Sequence, residues 1–136
     1  MKPFIVNMIA AAGLMAAGSA SATDMPPLAK KHNCTACHTI EKKLVGPAWR
    51  DVARAYNVVG ATGSAVNPST YKVSNKVSDI LAKNQAKNAE DWLVHKDSHG
   101  GSGNWGTMPM PANDPDGAKE SEIRELIKFI LGLENK

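Results

Sequence analysis

The 136-residue chain has two cysteines, and both fall in Cys34-Thr35-Ala36-Cys37-His38. Four chemistries use thiols at this spacing. A disulfide would close a very short loop and remove little unfolded-chain entropy. A thioredoxin-like redox pair wants a βαβ context, and no strand pattern flanks the motif. Zinc needs further ligands at matched spacing, yet there is no other cysteine, and His32, His95 and His99 form no convincing second pair. Covalent haem attachment uses every residue of the motif: two thiols add to two vinyl groups, and the adjacent imidazole reaches the iron. Cys34, Cys37 and His38 therefore point to one c-type haem.

Such a short motif needs a second witness, which would be another iron ligand far downstream. The segment Gly106-Thr107-Met108-Pro109-Met110-Pro111-Ala112-Asn113 supplies a thioether on an extended loop stiffened by proline. Methionine is usually core filler. Met110 sits between two prolines in a polar, glycine-rich stretch with no amphipathic face to bury it, so ligation is the stronger reading, with Met108 as its rival. With His38 and Met110 both bound, the iron has no open position for substrate and can change only by one electron. That describes a carrier, not an enzyme. Methionine favours the ferrous state relative to a second imidazole, so the potential should be comparatively positive.

The elements that must position these residues read as one domain of helices and loops. Hydrophobic residues make up 43% of the chain and charged residues 21%, with a net charge of +3, which is ordinary for a soluble globule and gives no sign of nucleic-acid binding. Residues 1–22 combine Lys2, an apolar run from Phe4 to Ala17 and Ala20-Ser21-Ala22, the pattern of a cleavable secretory signal. The run is too short to span a bilayer and Asn7 interrupts it, which disfavours a retained anchor. The mature domain would then be residues 23–136, exported and without a membrane span. Its aromatics are Trp49, Tyr56, Tyr71, Trp92, Trp105 and Phe129, few enough that a cofactor could fill part of the middle.

A first helix should end over Leu28 to Cys34, a second should cover Ala48 to Tyr56, and a last should run from Glu120 to Leu133. Ile123, Leu126, Ile127, Ile130 and Leu131 give that last helix one apolar face, and Gly132 and Asn135 mark its end. Between them lies an extended segment at about 57–88. Its first half is loop-like, with Gly60, Gly63 and Pro68, and after Asn75 a broken apolar stripe of Val77, Ile80, Leu81, Ala89, Trp92 and Leu93 turns helical. Lys76, Lys83 and Lys87 lie on other faces. A surface helix is the plain reading and a docking platform for an acidic partner the sharper one. No alternating strand pattern of useful length occurs.

Two blocks of the chain resemble the small single-haem class I cytochromes c of bacterial periplasms. Pro26 to Tyr56, containing KKHNCTACHTIEKKLVGPAWRDVARAY, looks like their first helix, haem motif and following loop. Ser102 to Leu133, containing GNWGTMPMPAND, looks like their methionine loop and last helix. The resemblance implies an all-α class I cytochrome c fold of short helices around one covalent haem c, with thioethers at Cys34 and Cys37 and iron ligands His38 and Met110. It implies that the Pro47 carbonyl holds the other imidazole nitrogen of His38. Less firmly, it implies that the Trp105 N–H holds a haem propionate and that the Asn113 amide donates toward the methionine sulfur. Trp105 could instead simply pack, and Asn113 could simply make the turn with Asp114-Pro115. The long middle segment departs from the shortest members.

The implied function is a periplasmic, monomeric one-electron carrier of a Gram-negative bacterium. It would take electrons from a dehydrogenase or quinol-oxidising complex and pass them to an oxidase or reductase. Lys42, Lys43, Arg50 and Arg54 could steer it to acidic partners. Alternatives are a haem c subunit of a periplasmic oxidoreductase complex and a five-coordinate haem protein with Met110 merely structural. Two motif matches are coincidental. Gly101 to Gly106 fits GxGxxG, but no strand precedes it and Pro109 and Pro111 bar the helix that must follow. Asn33-Cys34-Thr35 fits a glycosylation sequon inside the haem motif.

Overall fold

The structure, a computed structural model, describes residues 23–57 and 87–135. Residues 1–22 and most of the 57–88 segment, including the part after Asn75 expected to be helical, lie outside the described residues. Among those described, the α-helices are α1 (Pro27–Lys31), α2 (Trp49–Asn57), α3 (Ala89–His99) and α4 (Glu120–Leu131), with 3-10 turns at Cys34–Ala36 and Gly132–Asn135. The sole β feature among them is an isolated antiparallel bridge between Gly101 and Met110. The all-α expectation holds. None of the described helices is long and apolar enough to cross a membrane.

Helix α1 is shorter than expected. Pro27 opens it, where a missing N–H costs nothing. It stops at Lys31 rather than Cys34 because Asn33 takes a left-handed φ of 58°, which a short polar side chain tolerates better than most. The chain then re-enters a single tight turn over the haem motif.

Helix α2 has its first free N–H groups received by the segment just after His38: Trp49 N–H donates to the Thr39 carbonyl and Arg50 N–H to that of Ile40, both at 3.0 Å. Helix α3 begins at Asn88, whose side chain accepts from Asp91 N–H at 2.8 Å, with Glu90 and Asp91 complementing the helix dipole. It ends at Gly100, which holds a φ of +70°.

Helix α4 carries the expected face: Ile123, Leu126, Ile127 and Ile130 are buried, and Leu133 follows them into the core while Leu131 stays half-buried. This face packs on α2 and α3 and touches α1. Trp49, Val52, Ala53 and Tyr56 meet it from α2 and Trp92, Leu93 and Val94 from α3. Each such large apolar side chain contributes roughly 1.5–3 kcal/mol by leaving water. At the rim Arg124 of α4 ties down Glu90 and Asp91 of α3, both at 2.9 Å. The helices thus form a frame whose inner side is free to line a cleft.

Candidate haem site

The Cys34 carbonyl closes the CXXCH turn by accepting from both Cys37 N–H at 3.1 Å and His38 N–H at 2.9 Å. One turn of chain therefore presents residues i, i+3 and i+4 together. Both thiols are free and half-buried. Burial, and after it the charge of Asp97, push the Cys34 thiol up to about 11. A redox or nucleophilic cysteine needs the opposite shift. The upward shift runs against the thioredoxin-like alternative.

His38 is fixed from two sides. Its Nδ1 donates to the Pro47 carbonyl at 2.8 Å. A carbonyl only accepts, so the ring proton sits on Nδ1 and Nε2 keeps its lone pair for a metal. Trp49, buried at 4% exposure, backs the imidazole with ring centroids 6.1 Å apart. The loop before Pro47 folds back so that Gly46 N–H donates to the Cys37 carbonyl at 2.8 Å. Gly46 then lies flat on the imidazole: a Cβ there would stand 2.8 Å from Nε2 and 2.9 Å from Nδ1. Only glycine fits.

Met110 is positioned by the end of α3. Gly101 N–H donates to the Met110 carbonyl at 2.9 Å, and Met110 N–H returns to that of Gly101 at 3.0 Å. Gly100 makes this approach possible, since its positive φ excludes most side chains and an added Cβ would come within 2.8 Å of the Ala112 nitrogen. Met110 is half-buried, while Met108 is 65% exposed.

Cys34, Cys37, His38, Pro47, Trp105, Met110 and Asn113 all line one cleft of about 1140 Å³, mouth included, and Val52, Leu93, Ile127 and Ile130 give it an apolar wall. An open cleft with an apolar wall and few polar groups suits a large flat macrocycle. Paired thiols, a pre-oriented imidazole with its lone pair available, a thioether and a backbone cradle at Gly46 are a donor set that fits haem c.

Trp105 is half-buried beside Tyr56, with ring centroids 6.5 Å apart. Trp92 Nε1 donates to the Tyr56 hydroxyl at 3.2 Å. The Asn113 amide donates to Asp97 Oδ1 at 2.9 Å. Gly46, Tyr56 and Asp97 went unnoticed as site residues. The Val45-Gly46-Pro47 turn was a usable signal for the first, and nothing local marks the other two. The Gly101–Gly106 match is a turn, closed by Gly103 N–H to the Gly106 carbonyl at 2.8 Å, with no helix behind it.

The cytochrome c family profile matches residues 16–134. Among curated relatives, cytochrome c-551 of Allochromatium vinosum is 38% identical over 78% of this chain and 82% of its own length. Cytochrome c-551 of Pseudomonas aeruginosa is 31% identical over 96% and 97%, and cytochrome c-552 of Hydrogenobacter thermophilus 33% identical over 98% and 99%. With that match across nearly the whole chain, and with a haem motif and methionine loop brought to one cleft, the chain belongs to the cytochrome c family, as a small class I cytochrome c that carries electrons and is not an enzyme.

Proposed function

We propose that this chain is a periplasmic one-electron carrier whose single haem c is anchored by Cys34 and Cys37 and ligated by His38 and Met110. The observation that carries the reading is the Pro47 carbonyl on Nδ1 of His38, which leaves a lone pair on Nε2 of a ring lining the same cleft as both thiols and the Met110 loop. Haem c, when bound, supplies a ferric/ferrous couple. The chain's part is to hold it. The Pro47 bond raises the basicity of the imidazole, and the soft thioether favours the reduced form. The apolar wall keeps water from the reacting centre, so little reorganisation accompanies electron transfer.

Export rests on residues 1–22, and mature residues 23–136 form the carrier. Its partners are a donor dehydrogenase or quinol-oxidising complex and an acceptor oxidase or reductase, met by the monomer. Lys42, Lys43, Arg50 and Arg54, close in sequence to the haem segment, supply the steering charge, with Lys42 and Lys43 exposed. Arg50 is committed to Glu41 and the Leu133 carbonyl, and Arg54 leans on Asp51 at 3.4 Å.

A redox titration should show a single one-electron step, with the near-infrared sulfur-to-iron charge-transfer band present in the oxidised protein. The reduced protein should not bind carbon monoxide at neutral pH, because both axial positions are filled. Rapid carbon monoxide binding would establish the five-coordinate alternative instead.

A further inference from the structure

Asp97 is the most enclosed carboxylate on the cleft wall, 7% exposed, and nothing in the electron-carrier reading uses it. It sits in the last turn of α3, where the chain leaves for the methionine loop, and it is stitched to the returning end of that loop. Asn113 N–H donates to the Asp97 carbonyl at 3.1 Å, Asn113 Nδ2 donates to Oδ1 at 2.9 Å, and Asp114 N–H donates to the Ser98 carbonyl at 3.2 Å. No cation pairs with Asp97 among the described residues: His32, from the haem segment, bonds Glu122 at 2.7 Å, and Lys96, its helix neighbour, directs Nζ to the Gly100 carbonyl at 2.9 Å.

We propose that Asp97 is a positioning and tuning residue: it orients Asn113 against the methionine loop, and its negative charge on the cleft wall lowers the reduction potential and makes it depend on pH. This rests on the His38 and Met110 ligation proposed above. A carboxylate facing a redox centre stabilises the oxidised form, which carries one more positive charge. The charge is expensive to keep. Burial raises the Asp97 pKa, the hydrogen bond from the Asn113 amide acts against that rise, and the charge of Asp114 adds to it. Cys34 feels Asp97 as well. With burial the dominant effect, the proton arrives at higher pH than on a surface aspartate. Oxidation lowers that pKa and reduction raises it. Between the two values the potential falls as pH rises. Below both it is high and flat.

Asp97→Asn removes the charge while keeping an oxygen that can accept from Asn113. Its potential should lie above that of the wild type on the alkaline side of the Asp97 titration, by about tenfold in the equilibrium with a fixed-potential partner, or 59 mV for one electron. The wild-type fall with pH should be reduced, and the near-infrared band should be retained. Asp97→Ala removes the acceptor too, and should also shift that band. Potentials measured by spectroelectrochemistry from about pH 4, near the ordinary aspartate value, to about pH 9 test this. Coincident Asp97→Asn and wild-type curves overturn it, and so does a flat wild-type line, which needs no variant to fold. A wild type lacking the near-infrared band takes down the ligation reading and this inference with it, whereas a band present with coincident curves defeats this inference alone.

Discussion

Replacing Met110 by alanine lowers the midpoint potential by on the order of 0.2 V, a large part of the roughly 0.8 V that axial ligands can span. The thioether is a weak, soft donor that stabilises ferrous iron, and an alanine leaves the position to water or to nothing. The near-infrared band of the oxidised protein should vanish, and the reduced protein should begin to bind carbon monoxide. Met108→Ala is the matched control. That side chain is 65% exposed and lies outside the Gly101–Met110 bridge, so its loss should leave potential and band unchanged. If Met108→Ala abolished the band and Met110→Ala did not, the register of the loop would be wrong by two residues.

The second large effect is expected at Gly46. A methyl group there would stand less than 3 Å from two nitrogens of the His38 ring, a separation real Cβ atoms essentially never show. The ring cannot retreat freely, because Trp49 lies against it and the Pro47 carbonyl holds Nδ1. Overpacking of this kind costs about 1–3 kcal/mol or more, so thermal unfolding of Gly46→Ala should drop by several degrees. As the bond to Pro47 lengthens, the imidazole becomes a poorer donor and the potential should rise. Gly132→Ala separates this from a general glycine effect. Its backbone is helical and an added Cβ would meet nothing within 4 Å, so that change should be neutral or slightly stabilising.

The chemistry of the site was legible because it is local. Cys34, Cys37 and His38 lie within one turn, and the prolines around Met110 remove the helical alternatives by themselves. Helix α4 was legible for a similar reason: its apolar residues keep one face at helical spacing, and four of the five are buried as read. Helix α3 was only glimpsed. Trp92, Leu93, Val94, Asp97 and Ser98 are all buried, so polar and apolar side chains share its inner surface and no stripe survives. That surface meets α4 on one side and the cleft on the other.

The end of α1 was misplaced because it depends on one backbone conformation, the left-handed Asn33, which periodicity does not register. Gly46 and Asp97 reach His38 and Asn113 through loop closures; the Val45-Gly46-Pro47 turn hints at the first, and spacing along the chain carries no trace of the second. Trp105 was identified through its neighbours in the methionine loop. Its ring contact with Tyr56, nearly fifty positions earlier, exists only because α2 and that loop line the same cleft.

The most direct test is whether the pigment stays with the polypeptide when the fold is destroyed. Purified protein matured in a host competent for haem attachment should be denatured and extracted with acidified organic solvent, and the polypeptide then examined as its pyridine haemochrome. Attachment through Cys34 and Cys37 predicts that all haem absorbance remains in the protein fraction, with the spectrum of a haem whose two vinyl groups are saturated, and that a Cys34→Ala, Cys37→Ala double variant loses it. Haem passing into the organic phase from the wild-type protein would contradict the assignment of the CXXCH turn.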